Sequence, residues 1–335
     1  MAAQEETQMN NNSQAILILC SHLCVGDGIE PLKPSEWKKV ASNLLNKKLT
    51  PGDILGMSAD EIKNILGCDE EYSNRIMRLI GRSASLFFEI SKYENIGISV
   101  ITRADEEYPK RIKQKLGDSC PPFFYYSGDL SLLNKRGVGF VGSRTMEGED
   151  IDFEGRLVKE AVKERYAIIS GGARGADSVS EKFALGKGGR MVEFLADSMI
   201  KKMHDSDIVK AVQNGRLLLL SVVNPEAGFS VGSAMERNKF IYAQSDVVIA
   251  IKSINQGGTW SGVLDNLKHN YCPVLCWDNK KYKDNTEMIK RGAIAIDEKW
   301  SIKDIPSIQR QTISKEPADE LTEKQEQKDE QLRLF

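Results

Sequence analysis

The chain has 335 residues, too many for one ordinary domain and about right for two. Its 46 Lys and Arg against 48 Asp and Glu give a formal charge of −2 and a pI near 6.1, which excludes histone-like binding of nucleic acid over the whole surface. Any phosphate recognition must be local. Apolar residues make up 41%, mean hydropathy is −0.37, and no stretch approaches the roughly 18 consecutive apolar residues of a membrane span.

Residues 1–13 lack apolar periodicity and are expected to form a disordered arm. They are polar and acidic, with no basic stretch leading into an apolar one, so no secretion signal is expected and the chain is placed in the cytoplasm. Residues 14–95 carry short helical patterns separated by turn signals and predict a small all-helical domain. Pro34 stands at a helix start, Ser58 with Glu61 matches a capping box, and Ile76, Leu79, Ile80, Ser83 and Phe87 trace one face of a longer helix. Helical modules of this size either bind DNA backbones or partners, or simply support packing.

The six cysteines are too few for a disulfide scaffold and should stay thiols in a reducing compartment. Cys20 and Cys24 bracket His22, which hints at metal. Both lie on an apolar helical pattern, however, and Cys272 and Cys276 flank an apolar strand-like run, so buried thiols and no metal site are expected.

From residue 96 the period shifts toward strands, first in ISVITR, then FFYYSG, then GVGFVGS. A regular alternation begins there: strand Val138–Val141, helix Ile151–Glu164, strand Ala167–Ser170, helix Ala176–Gly186, strand Arg190–Leu195, a helix near His204–Gln213 and strand Leu217–Val222. It continues with helix Ala234–Gln244, strand Val247–Ile251, a helix after Thr259 and strand Pro273–Trp277. Such alternation predicts an α/β domain over 96–311 with a parallel, doubly wound sheet. Residues 312–335 read as a flexible tail: between Ile313 and Glu330 ten of 18 residues are charged and only Ile313, Ala318 and Leu321 are apolar.

Gly137, Gly139 and Gly142 match G-x-G-x-x-G literally. The dinucleotide fingerprint needs its glycines after a strand, whereas Val138, Phe140 and Val141 are the strand itself, so a nicotinamide site is not expected. The strand leads instead into Gly142-Ser143-Arg144, where backbone N–H groups, a hydroxyl and a guanidinium can hold a phosphate. The next strand ends in Ser170-Gly171-Gly172-Ala173-Arg174-Gly175-Ala176-Asp177, whose small residues let a ligand approach. Each loop alone could be a tight turn; a pair at adjacent strand ends forms one crevice. A third element, Glu236-Arg237-Asn238-Lys239-Phe240-Ile241, interleaves two cations, an amide and a ring, suited to phosphate contacts plus base stacking or to a solvated helix end.

In order and spacing, V-G-S-R, S-G-x-A-R-G-x-D and R-N-K-x-I resemble the signature of the DNA-processing protein DprA (Smf) family. Asp105 to Pro109 and Pro121 to Gly128 are similar to that family's lead-in, and the resemblance covers roughly residues 75–280, with a helical N-terminus of SAM or helix-hairpin-helix kind. It implies a Rossmann-like domain that binds single-stranded DNA in a basic pocket without catalysis, acting in DNA uptake, recombination or defence. It also implies loading of a RecA-type recombinase, a homodimer, and no cofactor. By motif, Gly142, Ser143 and Arg144 would cradle phosphate, Ser170, Gly171 and Gly172 would wall the pocket, Arg237, Asn238 and Lys239 would meet phosphates, and Phe240 would stack a base. Arg174 would either meet DNA or hold its loop by pairing with Asp177.

The chain departs from the family pattern at Ser178 to Glu181, where a histidine is usual, and at Gly257 to Gly262. Gly257-Gly258-Thr259 superficially resembles the loop of LOG-type nucleotide N-glycosidases, but no glutamate comes after it at the required spacing, Asp265 being the nearest carboxylate. That activity and a nucleotide-sensing role are the alternatives. The last residues, Gln331, Leu332, Arg333, Leu334 and Phe335, resemble a sliding-clamp docking peptide at the end of a tether. The tail carries seven acidic and four basic side chains over 313–335, leaving the rest of the chain at +1.

Overall fold

The fold is described from a computed structural model, which places residues 9–24 and 28–308. The chain divides into two compact units, one running to Phe124 and the other starting at Tyr125. No helix among the described residues is long and apolar enough to cross a membrane.

The first unit contains α1 (Asn11–Cys20), α2 (Pro34–Asn46), α3 (Ala59–Leu66), α4 (Glu70–Gly81), α5 (Ser83–Glu94), strand β1 (Ser99–Thr102) and α6 (Lys110–Leu116). Side-chain caps set several boundaries: Asn10 accepts from Ser13 N–H before α1, and Ser58 and Glu61 cap α3 reciprocally. The longer helix traced from Ile76 to Phe87 is in fact two, α4 and α5, separated at Arg82. Buried Arg82 turns its guanidinium onto the carbonyls of Ile18, Ser21 and Leu23, satisfying groups that the end of α1 leaves open. The α1 pattern likewise stops earlier than its apolar run suggests. Cys20 ends the helix, and Cys24 lies beyond it, half-buried with φ of 60°.

The second unit begins within β2 (Phe123–Ser127) and continues through β3 (Gly137–Val141), α7 (Gly148–Lys163), β4 (Ala167–Ser170), α8 (Ala176–Gly186), β5 (Arg190–Leu195), α9 (Met199–Lys202), α10 (Ser206–Gln213) and β6 (Leu217–Ser221). Then come α11 (Val231–Gln244), β7 (Val247–Ala250), α12 (Gly258–His269), β8 (Val274–Trp277), α13 (Lys283–Lys290) and β9 (Ile294–Ile296). Its strands run in the order β2-β6-β5-β4-β3-β7-β8-β9. All neighbours are parallel except β2 with β6, where Tyr125 faces Ser221. This is the doubly wound parallel sheet that the alternation predicts.

Strands β4, β5 and β6 are added on one side of β3, and β7, β8 and β9 on the other. Right-handed crossovers then put α7 and α8 on one face and α11 and α12 on the other. The carboxyl ends of β3 and β7 therefore flank a topological switch point, where such sheets open a crevice. The two glycines inside β3 serve packing. A Cβ at Gly139 would stand 2.6 Å from Ser245 Oγ and 2.7 Å from Val248 Cγ2, and one at Gly137 would stand 2.9 Å from Ile169 Cγ1. The literal G-x-G is thus a strand squeezed between its neighbours.

Candidate nucleic-acid interface

A cavity of about 390 Å³ opens at the carboxyl ends of β3, β4 and β7 and is bounded on its remaining side by the run into α11. After β3, Gly142 lies so close to α8 that a Cβ would be 2.7 Å from Ala176 Cβ. Ser143 donates its N–H to Lys252 O at 2.8 Å and accepts Ala176 N–H on its carbonyl at 3.2 Å, while Thr145 N–H bonds back to Ser143 Oγ. The loop is thus fixed from both flanks, and Arg144 extends from it into solvent with its guanidinium 4.6 Å from the centroid of the Phe229 ring.

The loop after β4 is organised by its glycines. Gly175 has φ 82° and ψ −128°, and a Cβ there would meet Ser143 O at 2.2 Å and Arg144 Cα at 2.6 Å. The guanidinium of Arg237 lies against Gly171, where a Cβ would come 0.9 Å from its Nη1. Asp177 accepts that same Nη1 at 3.3 Å and Ala173 N–H at 3.1 Å. Arg237, from α11, thereby braces the loop from beneath.

The loop after β7 turns tightly at Ile254–Gly257, with Asn255 and Gln256 both left-handed at φ 55° and 49°. Asp284 accepts Gln256 N–H and the Ser253 hydroxyl, and Asn285 accepts Ser253 N–H, so α13 holds this turn in place. Helix α12 begins next at the cavity wall with Gly257 as its cap, which offers no side chain to the first N–H groups among the described residues.

The cavity's charge comes from exposed Arg144 and Arg174; the carboxylate in its lining, Asp177, is taken up by Arg237. Its fourth side is apolar. Phe229, Val231, Met235 and Ile254 line it and remain 49%, 72%, 39% and 40% exposed, an unusual grouping for side chains that ordinarily withdraw from water.

Behind Gly172, on β5, sits Glu193, fully buried beside Ser170 in the strand register. Burial pushes its carboxyl up to about 8, against the lowering effect of Lys202, whose Nζ lies 3.1 Å away and also pairs with Glu181. Burial would lower the Lys202 ammonium, but the two carboxylates hold it above the usual lysine range.

The cavity therefore collects Gly142, Ser143, Arg144, Arg174, Arg237 and Asn238 in its lining. The other expected site residues lie elsewhere. Ser170 is buried beneath the loop, and Gly171 and Gly172 support it without facing the cavity. Lys239 is half-buried outside the lining. Phe240, expected to stack a base, is 3% exposed and packs against Phe194 in the core. Asp177 pairs with Arg237, not with Arg174. The apolar flank at Phe229 is absent from the expected site; its only signal in the sequence is an apolar residue alternating with Gly and Ser in GFSVGS, which runs across the start of α11. Gln331, Leu332, Leu334 and Phe335 lie outside the described residues.

Fold and site together define a doubly wound α/β protein with an arginine-lined crevice at its topological switch point. The chain belongs to the family described as DNA recombination-mediator protein A, whose model matches residues 99–306. Among solved structures it is similar to DNA processing protein A (DprA) from Streptococcus pneumoniae, 19% identical over 89% of this chain and 98% of that one, with a TM-score of 0.69. A looser likeness is to DNA processing protein A from Helicobacter pylori, described as having a unique single-stranded DNA binding mode, 21% identical over 65% of this chain and 96% of that one, TM-score 0.49. The molybdenum cofactor carrier protein of Chlamydomonas reinhardtii matches 54% of this chain and 99% of its own, at 18% identity and TM-score 0.38. No curated protein matches significantly.

Proposed function

We propose that the crevice holds single-stranded DNA. A phosphate sits between Ser143, Arg144, Arg174 and the open N–H groups of α12, and a base lies on the flank of Phe229, Val231 and Met235. The observation that carries this reading is the meeting, in one cavity, of two exposed arginines with an exposed aromatic flank. Cations that track phosphates beside rings that stack bases are the two ingredients of single-strand binding. An unpaired base can reach such a flank, whereas a base inside a duplex presents only its edges.

Membership of a recombination-mediator family supports a role in DNA recombination. Action in DNA uptake, handover to a RecA-type recombinase and assembly as a homodimer are further parts of the proposal. The protein acts without chemistry in this account. Asp177, the carboxylate of the lining, is held by Arg237 and Ala173 N–H and has no freedom to work as an acid or base over a sugar. The C-terminal peptide provides a hook for a sliding clamp, and clamp capture that survived deletion of residues 331–335 would remove that part of the proposal.

The test is oligothymidylate binding by anisotropy across a salt series. Arg144→Ala and Arg174→Ala should each weaken binding at every sequence and lower the salt slope by about 1, as loss of one phosphate contact requires. Lys239→Ala, outside the cavity, should change neither. Wild-type affinity in the double arginine variant would refute the proposal.

A further inference from the structure

Lys252 comes just after β7 at the switch point, and its side chain is not part of the cavity. It is 3% exposed, with Nζ 2.9 Å from Asp150 Oδ2, 3.3 Å from Glu147 Oε1 and 5.0 Å from the centroid of the Tyr282 ring. Asp150 is fully buried; its Oδ1 accepts the Tyr282 hydroxyl at 2.5 Å and its Oδ2 accepts Glu147 N–H at 2.7 Å. The main chain of the same lysine faces the other way, its carbonyl accepting Ser143 N–H at 2.8 Å. One residue thus joins the amino end of α7, the start of α13 and the loop that carries Arg144.

A buried ion pair is weak evidence of a stabilising role, because apolar residues of similar volume commonly do as well. What the pair adds here is direction. Nζ is anchored on Asp150 while the backbone of residue 252 continues β7, so the bond from Ser143 N–H to the Lys252 carbonyl extends the β3–β7 ladder by one rung from a residue whose side chain is tied down. The other restraint on Ser143, the N–H of Ala176, comes from the opposite flank.

The geometry points to Lys252 as a positioning residue. Through the Lys252–Asp150–Tyr282 network it sets where the Ser143–Arg144 loop stands, and so where Arg144 meets phosphate, without touching the ligand itself. The last step rests on the reading of the cavity proposed above; the first concerns the loop alone.

Hydrogen exchange on the full chain separates the two. Paired substitution Lys252→Met with Asp150→Asn removes both buried charges at near-constant volume, and Lys252→Arg keeps the cation. The paired variant should raise amide exchange over residues 141–147 by about tenfold while the strands Ala167–Ser170 and Leu217–Ser221 stay at wild-type rates, and Lys252→Arg alone should keep wild-type protection. In oligothymidylate binding the paired variant should lose about tenfold in affinity, the scale of a displaced contact. Adding Arg144→Ala to it should then cost little more than Arg144→Ala costs alone, since both act on one contact. Unchanged exchange at 141–147, or a rise spread evenly over the second unit, would overturn the positioning role. If exchange rises as expected but Arg144→Ala leaves binding intact, the loop restraint stands and the DNA reading of the cavity falls.

Discussion

Gly175→Ala is the substitution on which the site's construction can be judged. The backbone at residue 175, φ 82° and ψ −128°, is one that side-chain-bearing residues avoid, and holding alanine there costs about 1–3 kcal/mol. The added Cβ also meets Ser143 O at 2.2 Å and Arg144 Cα at 2.6 Å, backbone atoms that cannot rotate aside, for a further penalty of about 1–3 kcal/mol. Together these amount to about 4 kcal/mol, or a fall in Tm of roughly 10 °C for a unit of this size. Relief of the overlap requires the Ser143–Arg144 loop to move by about 1 Å, which for a positioned group weakens function on the order of 10²-fold. Gly186→Ala is the control. It sits at the end of α8 with nothing within 4 Å of a new Cβ, and should stabilise by up to about 1 kcal/mol. Calorimetry and oligothymidylate anisotropy on both variants make the test. A Gly175→Ala protein with wild-type Tm and affinity would show that the two loops are not clamped as described.

Three further predictions concern separate parts of the site. Gly171→Ala must expel the buried Arg237 guanidinium and break its pairing with Asp177, at about 3 kcal/mol, yet should be nearly silent in an Arg237→Ala background; a urea double-mutant cycle reads the coupling, and additive penalties would refute it. Phe229→Ala should weaken single-strand binding by about 1–3 kcal/mol, and because the ring is half exposed, stability should change by less than about 0.5 kcal/mol. Glu193 loses its proton near 8 in the folded protein against 4.5 in the free carboxyl, so the folded state holds a proton that the unfolded chain has released between those values. Stability should therefore be greatest below about pH 4.5 as far as this group is concerned, fall as pH rises toward 8 and level off above, and Glu193→Gln should flatten that slope in urea midpoints taken at pH 5 and 8. Glu154, raised by burial in the same sense, adds to the wild-type slope and leaves a residue of it in the variant.

Much of the second unit can be read in the chain because alternating strands and helices of this length have few ways to pack, and Gly142-Ser143-Arg144 and the Arg174 loop do share a cavity. Helix α11 shows where local pattern misleads about side chains. Arg237, Phe240, Ile241 and Gln244 recur at i, i+3, i+4 and i+7, the spacing of an inward face, and all four are buried. An arginine on that stripe resembles a surface cation, but Gly171 leaves a slot for its guanidinium and Asp177 neutralises it, a pairing across 60 residues that no local pattern announces. Phe229 is hidden for the opposite reason, standing just ahead of the helix with no period to mark it. The break of the expected long helix at Arg82 is likewise a tertiary effect, made by carbonyls of α1 and the turn after it some 60 residues away.

Bound as proposed, single-stranded DNA enters the crevice at the β3/β7 switch point with a base on the apolar flank. Photo-crosslinking with an oligothymidylate carrying halogenated uracils, combined with peptide mapping, tests it most directly. Crosslinks are expected at Phe229 and at neighbours lining the same cavity, and should be lost when Arg144 and Arg174 are both replaced by alanine. Crosslinks confined to the helical first unit, or unaffected by those substitutions, would contradict it.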